Sequence, residues 1–412
     1  MKIKPTSEKA KSASKVSSRS HLGERVPRLR FLGFEGEWEV ARIGELYSER
    51  SQRCTTPMEL LSVTISEGVV PRADIEGKDN SSEDKSNYKV VHVGDMVYNT
   101  MRMWQGASGL SAYNGIVSPA YTILKDAAKF DHEFMASLFK TEWLINEFRK
   151  NSQGLTSDTW NLKYPQIAAI KVRVPSVQEQ HHIATFLSLT DSRITAQRKI
   201  VELLKKHKRG LHSAIFGQKC RVVNADGKPW PAWRQVRIGD IFQERSERGG
   251  TADELLSVTI NNGVKRQADT DKKDSSSEDK SNYKKVLPGD IVYNTMRMWQ
   301  GASGVSPWAG IVSPAYTVIY PRGRQNTTFW AYAFKYWRLI QEFQKFSQGL
   351  TSDTWNLKYP QLSDIRVYEP SMDEQEVIVD ILSMLDERVS AAEQELNKMR
   401  NLKSGLLQQL FV

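Results

Sequence analysis

YNTMRMWQGASG, residues 98–109, recurs letter for letter at residues 293–304, and SQGLTSDTWNLKYPQ, residues 152–166, recurs at 347–361. Three shorter matches lie between and around them: LLSVTI at 60–65 and 255–260, SSEDKSNYK at 81–89 and 276–284, and IVSPAYT at 116–122 and 311–317. Every pair is offset by 195 residues, and the register holds from Trp38/Trp233 to Phe216/Phe411 without a gap. Solenoid and propeller repeats have periods of about 20–50 residues. The longer period here is a whole domain with a helix after it, copied once. A chain of 412 residues suits two or three domains.

Working outward from these matches, each copy reads as a mixed α/β (α+β) unit. LLSVTI is apolar and β-branched, as a strand requires. KVVHVGDMVYNTM has two apolar runs around Gly94-Asp95 and reads as strand, turn, strand. IVSPAYTIL is a further strand, and a helix over 134–149 follows, with Phe134, Leu138, Trp143, Ile145 and Phe148 on its apolar side. The polar loop SQGLTSDTWNLK then leads to a last strand over 167–174. The resulting division is a flexible basic tail (1–25), a first globular unit (26–176), a helix (177–216), a second globular unit (217–371) and a second helix (372–412).

The two helices have their own signature. Ser176 and Glu179, copied as Ser371 and Glu374, have the spacing of a capping box, in which serine and glutamate satisfy each other's free backbone N–H groups. Beyond them, Leu187, Thr190, Ile194, Gln197, Val201, Leu204, Lys208, Leu211 and Ile215 follow alternating steps of three and four. The second copy gives Leu382, Leu385, Val389, Ala392, Leu396, Met399, Lys403, Leu406 and Leu410. Such a narrow seam points to a coiled coil, interrupted at Gln197, Lys208 and Lys403. About 40 helical residues span roughly 60 Å, enough to hold two domains apart.

Composition narrows the partner. Lys and Arg total 58 against 48 acidic residues, a net charge of +10. That surplus favours a polyanion such as nucleic acid, through phosphate attraction and counterion release. The two cysteines, Cys54 and Cys220, form no CxxC pair, so neither a disulfide framework nor a zinc site is indicated. No apolar run is long enough to cross a membrane, and the Lys- and Ser-rich start lacks the apolar stretch of a signal peptide. A reducing, cytoplasmic setting is expected.

The order of domain, helix, domain, helix resembles the specificity (S) subunit of type I restriction–modification enzymes. WEVARIGEL and WRQVRIGDI resemble the start of that family's target-recognition domains. VGDMVYNTMR and PGDIVYNTMR resemble its Gly-Asp strand pair. GIVSPAYT and the helix closings KRGLHSAIF and KSGLLQQLF fit it as well. The resemblance covers about residues 26–412. It implies a subunit without catalysis or cofactor of its own that reads an interrupted sequence in double-stranded DNA, one half per domain. Its helices are expected to pack antiparallel, spacing the domains and docking two methyltransferase (M) subunits that methylate adenine with S-adenosylmethionine. Two restriction (R) subunits, using ATP and magnesium, can join.

The residues agree with that division of labour. The chain has no GxxxxGK[ST] phosphate loop and no N/D-P-P-Y/F tetrapeptide for holding a flipped base. His181 and His182 lack acidic or cysteine partners at metal-ligand spacing. A DNA-cleaving alternative would need Glu83, Asp84 and Asp158 to share a magnesium ion, yet these lie in separate loops. A free-standing DNA-binding regulator is the other alternative.

Base reading needs hydrogen-bonding side chains on exposed loops, and two loops supply them. The first offers Asn99, Thr100, Arg102, Trp104 and Gln105, copied as Asn294, Thr295, Arg297, Trp299 and Gln300. Arg102 can pair with guanine, and Gln105 or Asn99 with adenine. The second offers Gln153, Thr156, Ser157, Asp158 and Lys163, copied as Gln348, Thr351, Ser352, Asp353 and Lys358. Ser152, Thr156, Ser157 and Lys163 suit phosphate or base contacts, and Asp158 suits a cytosine amino group. The competing structural reading makes Met101, Met103, Trp104, Tyr98 and Tyr121 core, Trp160 a loop anchor and Asp158 a loop cap. Identical readers related by a two-fold axis read inverted copies of one half-site, so the expected target is an interrupted palindrome or nearly one. The copies differ at 111–114 against 306–309 and at 66–80 against 261–275, where unequal half-sites can arise.

Overall fold

The two copies fold into matching series of elements in the computed structural model, which describes residues 3–5, 26–79, 81–224, 226–250, 253–260, 263–270, 276–277, 279–351 and 353–412. The first series opens with β1 (Ile3–Pro5), β2 (Leu29–Phe31), β3 (Glu39–Arg42), α1 (Ile43–Leu46), β4 (Tyr47–Arg50), β5 (Leu61–Thr64) and β6 (Gly68–Pro71). It continues with β7 (Lys89–Val91), β8 (Met96–Asn99), β9 (Ser108–Leu110), β10 (Gly115–Val117), β11 (Tyr121–Asp126), α2 (His132–Leu138), α3 (Glu142–Asn151), α4 (Tyr164–Ala168), β12 (Lys171–Val174) and α5 (Val177–Phe216). The second series opens with β13 (Arg234–Arg237), α6 (Ile238–Ile241), β14 (Phe242–Glu244), β15 (Leu256–Thr259), β16 (Gly263–Arg266) and β17 (Lys284–Val286). It continues with β18 (Ile291–Asn294), β19 (Ser303–Val305), β20 (Gly310–Val312), β21 (Tyr316–Pro321), α7 (Thr327–Ala333), α8 (Trp337–Phe346), α9 (Tyr359–Asp364), β22 (Arg366–Glu369) and α10 (Met372–Leu410).

In each copy a four-stranded antiparallel sheet is central, ordered β4-β11-β8-β9 in the first and β14-β21-β18-β19 in the second. The run Met96-Val97-Tyr98 explains why β8 sits inside. Met96 and Tyr98 enter the main core, beside Phe134, Phe139 and Phe148 of the helical layer. Val97, pointing the other way, joins Leu61, Val63, Val69, Val91, Val117 and Ile123. A strand buried on both faces reads as continuously apolar rather than alternating. The second copy repeats this division, with Ile291 and Tyr293 on one face and Val292 on the other.

The Gly-Asp pair is a structural device. Gly94 turns the chain at φ 92°, a conformation glycine reaches without steric cost. Asp95 accepts from the His92 amide (2.8 Å) and takes both arms of Arg50 (2.9 Å each). Asp290 does the same with the Leu287 amide (2.8 Å) and Arg245 (2.8 and 2.9 Å).

Several expected elements differ in detail. IVSPAYTIL is two strands, β10 on β7 and β11 on β8 and β4. Pro119 has no N–H for a ladder, and the Tyr121 amide closes a turn on Ser118 O (3.0 Å). The helix expected over 134–149 is interrupted between α2 and α3, where Thr141 Oγ1 donates to Leu138 O (2.7 Å) and satisfies the end of α2. Ile167 lies in α4 and not in a strand, because Pro165 starts a helical turn there; the strand is β12. Of the expected tail, residues 3–5 form a strand, β1, against β2, and residues 1–2 and 6–25 lie outside the described residues.

The chain divides into two units, and the division cuts each long helix across its middle. Unit 1 holds residues 1–198 and 394–412, and unit 2 holds residues 199–393. Within unit 1, the first half of α5 runs antiparallel to the end of α10: Asp191 pairs with Lys403 (2.5 Å), and Gln197 donates to Glu395 (3.4 Å). Within unit 2, the second half of α5 runs antiparallel to the start of α10: Lys205 pairs with Glu393 (2.6 Å) and Lys208 with Asp386. The seam positions Leu187, Ile194, Val201, Ile215, Leu382, Leu385, Ala392, Leu396 and Leu410 are buried. The two lysines that interrupt the seam are thus matched by aspartates on the facing helix.

Each core is closed by the helix end from the other copy. Phe411, at the end of α10, stacks on Phe134 (5.1 Å between ring centroids) and meets Trp38 edge-on (6.3 Å) in unit 1. Phe216, at the end of α5, meets Phe329 (5.4 Å) and Trp233 (6.4 Å) in unit 2. The expected capping boxes form only in part. The Glu179 amide donates to Ser176 Oγ (3.4 Å), but the Glu179 carboxylate takes Arg30 bidentately (2.8 and 2.7 Å). Glu374 likewise binds Arg221 (3.0 and 2.9 Å). A buried guanidinium is a stronger partner for that carboxylate than a backbone amide.

Candidate nucleic-acid interface

The two candidate loops of each copy are brought together. Asn99 ends β8, and its Oδ1 accepts from the Met101 amide (3.0 Å), turning the chain. Trp104 Nε1 donates to Met101 O (3.1 Å) and fixes the indole over that turn. Leu162, just past the second loop, donates its amide to Thr100 O (2.9 Å). The Trp104 and Trp160 rings meet edge to face at 5.2 Å and 81°. In unit 2 the Leu357 amide donates to Thr295 O (2.9 Å), and Trp299 meets Trp355 at 5.2 Å and 83°. The tryptophans lock the loops to each other, as the anchor reading of Trp160 expects.

A lysine holds the first loop from behind. Lys140 Nζ donates to Gly106 O (2.7 Å) and to Ile65 O (3.2 Å), tying the α2–α3 turn to the loop and to the end of β5. Burial, with a smaller contribution from the positive charge of Lys403, brings its pKa down to about 8. Lys335 is held the same way by Ile260 O (2.9 Å) and Gly301 O, and burial brings it to about 8. Sequence reasoning missed both lysines, because nothing local marks a lysine whose partners are carbonyls from two distant loops.

What faces outward is cationic and polar. The side chains of Arg102, Lys163, Arg297 and Lys358 are exposed and form no hydrogen bond or ion pair with another described residue. Gln105 and Gln300 are half-buried beside them. Gln153, Thr156, Ser157 and Asp158 are exposed, as are Gln348, Thr351 and Asp353, while Ser352 lies outside the described residues.

Some expected contacts are turned away. Thr100 is buried and sends both its amide (3.0 Å) and its hydroxyl (2.8 Å) to Ala120 O. Thr295 does the same with Ala315 O (3.1 and 2.9 Å). Neither hydroxyl faces outward, which corrects their place among the readers. Asn99 and Asn294 each accept a backbone amide at Oδ1, which fixes the side chain at the turn while leaving the second lone pair of that oxygen and the NH2 group uncommitted by this bond. Met103 is buried as a core residue should be, but Met101 and Met296 are 42% and 44% exposed.

One acidic residue of the cleavage alternative is engaged locally. Asp84 accepts from the Ser86 amide (2.9 Å), which holds its carboxyl below the usual carboxylate range. Among the described residues, no three His, Cys, Asp or Glu side chains gather as metal ligands. His181 Nδ1 lies 3.1 Å from Asp131 Oδ2, and His182 Nδ1 lies 2.9 Å from Gln178 O.

Comparison with known proteins follows the same two-part division. A family model described as type I restriction modification DNA specificity domain matches residues 35–206 and 232–400. The HsdS subunit from Thermoanaerobacter tengcongensis is similar at 17% identity, over 91% of this chain and 96% of that one, with a TM-score of 0.50. The type I restriction–modification S subunit from M. genitalium is similar at 16% identity, over 94% and 99%, with a TM-score of 0.54. A structure described as the basis of complex assembly and conformational transition of the type I R-M system is similar at 15% identity, over 91% and 97%, with a TM-score of 0.56. At these identities the solved structures speak for the fold.

Proposed function

This chain belongs to the type I restriction–modification DNA specificity family, and from that premise we propose that it reads a bipartite, near-palindromic DNA target through two copies of one double loop. DNA recognition without catalysis of its own is the role of that family. The observation that carries the finer reading is the exposed Arg102 and Lys163 on interlocked loops, repeated at Arg297 and Lys358. Arg102 and Arg297 take guanine, each with one half-site. Lys163 and Lys358 hold phosphate and so fix the register. Gln105, Gln153, Ser157 and Asp158, with Gln300, Gln348 and Asp353, complete the polar surface offered to base edges and backbone. Because the loops are identical in sequence, the half-sites are inverted copies wherever the divergent stretches do not intervene.

The rest of the machinery belongs to partners. Two methyltransferase subunits, carrying S-adenosylmethionine, modify adenine at the target, and two restriction subunits with ATP and magnesium join them in the cytoplasm. The exposed apolar residues on the long helices support docking there: Leu189 and Leu402 in unit 1, and Ile200, Leu203 and Met384 in unit 2. No helix among the described residues is long and apolar enough to cross a membrane.

The test is to purify the tagged chain from its host and select duplexes from a random pool with the material obtained. Co-purification of a methyltransferase and recovery of one interrupted motif are the expected results. Specific DNA binding with no methyltransferase attached would favour a free-standing regulator.

A further inference from the structure

Leu155 and Leu350, at the tips of the two second loops, each stand at 101% relative exposure. The next most exposed large hydrophobic side chain described, Leu402, reaches 62%. Each loop is stiffened from within and holds its leucine out. Gln153 and Asn161 exchange backbone hydrogen bonds (3.0 and 2.8 Å), and the Thr159 amide and hydroxyl both donate to Thr156 O (2.9 Å each). Gly154, at φ 144°, approaches so closely that a Cβ there would lie 2.6 Å from Thr159 O, so only glycine closes the loop. The second copy repeats each feature: Gln348 with Asn356 (3.0 and 2.8 Å), Thr354 on Thr351 O (2.9 and 3.0 Å), and Gly349 at φ 143°.

The loop that carries Leu155 is otherwise polar. Ser157, Thr156 and Lys163 share its loop, and Arg102 stands on the loop interlocked with it; Asp158 is the acidic exception. A stable protein-docking surface needs about 800 Å² per partner with an apolar centre. One leucine on a loop of exposed hydrogen-bonding and cationic groups does not provide that. A stiff apolar tip among phosphate-binding groups matches the wedges with which proteins part stacked base pairs.

We propose that Leu155 and Leu350 are such wedges, each inserting at one base step of its half-site and unstacking it. A wedge selects steps that unstack easily, pyrimidine–purine steps above all, and so adds sequence preference without a hydrogen bond. The inference rests on the reading that these loops face DNA, and the experiment separates the two.

The probe is a duplex carrying the mapped target, with 2-aminopurine placed at successive positions, bound by the chain assembled with its methyltransferase partner. In the wild-type complex, 2-aminopurine emission rises at one step in each half-site besides the adenine that the methyltransferase takes out of the stack. Leu155→Ala abolishes the rise in one half-site and weakens binding roughly tenfold; Leu350→Ala does so in the other. Leu155→Met retains both signals. Melting temperatures stay unchanged, because the side chains lie wholly in solvent. Unchanged emission and affinity in both alanine variants, with affinity still lost in Arg102→Ala, would overturn the wedge and leave the loop reading standing. If Arg102→Ala also binds and discriminates as the wild type does, the loop reading fails with it. If the alanine variants lose the methyltransferase subunit instead, the leucines dock protein and the proposal is overturned.

Discussion

Truncating Phe411 to alanine is expected to loosen the first recognition domain, although Phe411 belongs to the second repeat. The side chain is 5% exposed. Its ring stacks on Phe134 at 5.1 Å and 29° and meets Trp38 at 6.3 Å and 87°. Deleting a buried phenylalanine costs about 3–5 kcal/mol, of which aromatic pairing supplies about 0.5–1.5 kcal/mol. A loss of about 3 kcal/mol shifts a local opening equilibrium by roughly a hundredfold. Amide exchange read residue by residue detects such a shift, since protected amides exchange through these openings. In Phe411→Ala the faster exchange should fall on β8, β11 and α2 of unit 1. In Phe216→Ala it should fall on β18, β21 and α7 of unit 2. If Phe411→Ala loosens residues 217–393 instead, or costs less than about 1 kcal/mol, the exchange of helix ends between repeats is wrong.

Four further outcomes follow from the same geometry. Arg102→Ala and Arg297→Ala should each relax discrimination in one half-site by about 1–3 kcal/mol, read by competition binding with single-base mismatches; equal effects on both half-sites would refute the assignment. Glu179→Gln leaves the buried Arg30 guanidinium without its carboxylate and should cost about 3–5 kcal/mol in denaturant unfolding, far more than a surface pair. Asp191→Lys should cost no more than about 1 kcal/mol, since Asp191 and Lys403 are part-exposed, and adding Lys403→Asp should recover most of it. Lys140 and Lys335 fall to about 8 in the folded state, against about 10.4 unfolded. Between those values the unfolded chain binds more protons, so their contribution to stability rises with pH from about 8 to about 10.4 and is flat below. Denaturant midpoints across that range should rise less steeply in Lys140→Met and Lys335→Met than in the wild type.

The features legible in the sequence were the local and periodic ones. The repeat needs only comparison of the chain with itself, and the three–four spacing of Leu187 through Ile215 places a seam wherever the facing helix lies. Features decided at a distance were not legible. Thr100 looks like a reader until Ala120 O, twenty residues on, takes its hydroxyl. The glutamate of the apparent capping box is claimed by Arg30, from far earlier in the chain. Met101 shares the apolar character of Met103, yet the Asn99 turn sends one out and the other in. Leu155 carries no local mark of exposure, because a leucine in a short loop ordinarily folds onto its neighbours, and only the hydrogen bonds between Thr156 and Thr159 and the tight turn at Gly154 prevent it here. Pro175 and Pro370 precede the first residues of the two long helices, Val177 and Met372, and such a local signal is readable in sequence, whereas the α2–α3 break shows only where Thr141 Oγ1 takes Leu138 O.

We propose that one pair of reading loops, present twice, directs partners to a symmetric interrupted sequence. Sequencing of methylated adenines in a strain carrying this chain with its methyltransferase, against the same strain lacking the chain, tests it most directly. One chain-dependent motif whose two parts are inverted copies or nearly so is the expected result. Two unrelated half-sites, or a methylation pattern indifferent to the chain, would contradict it.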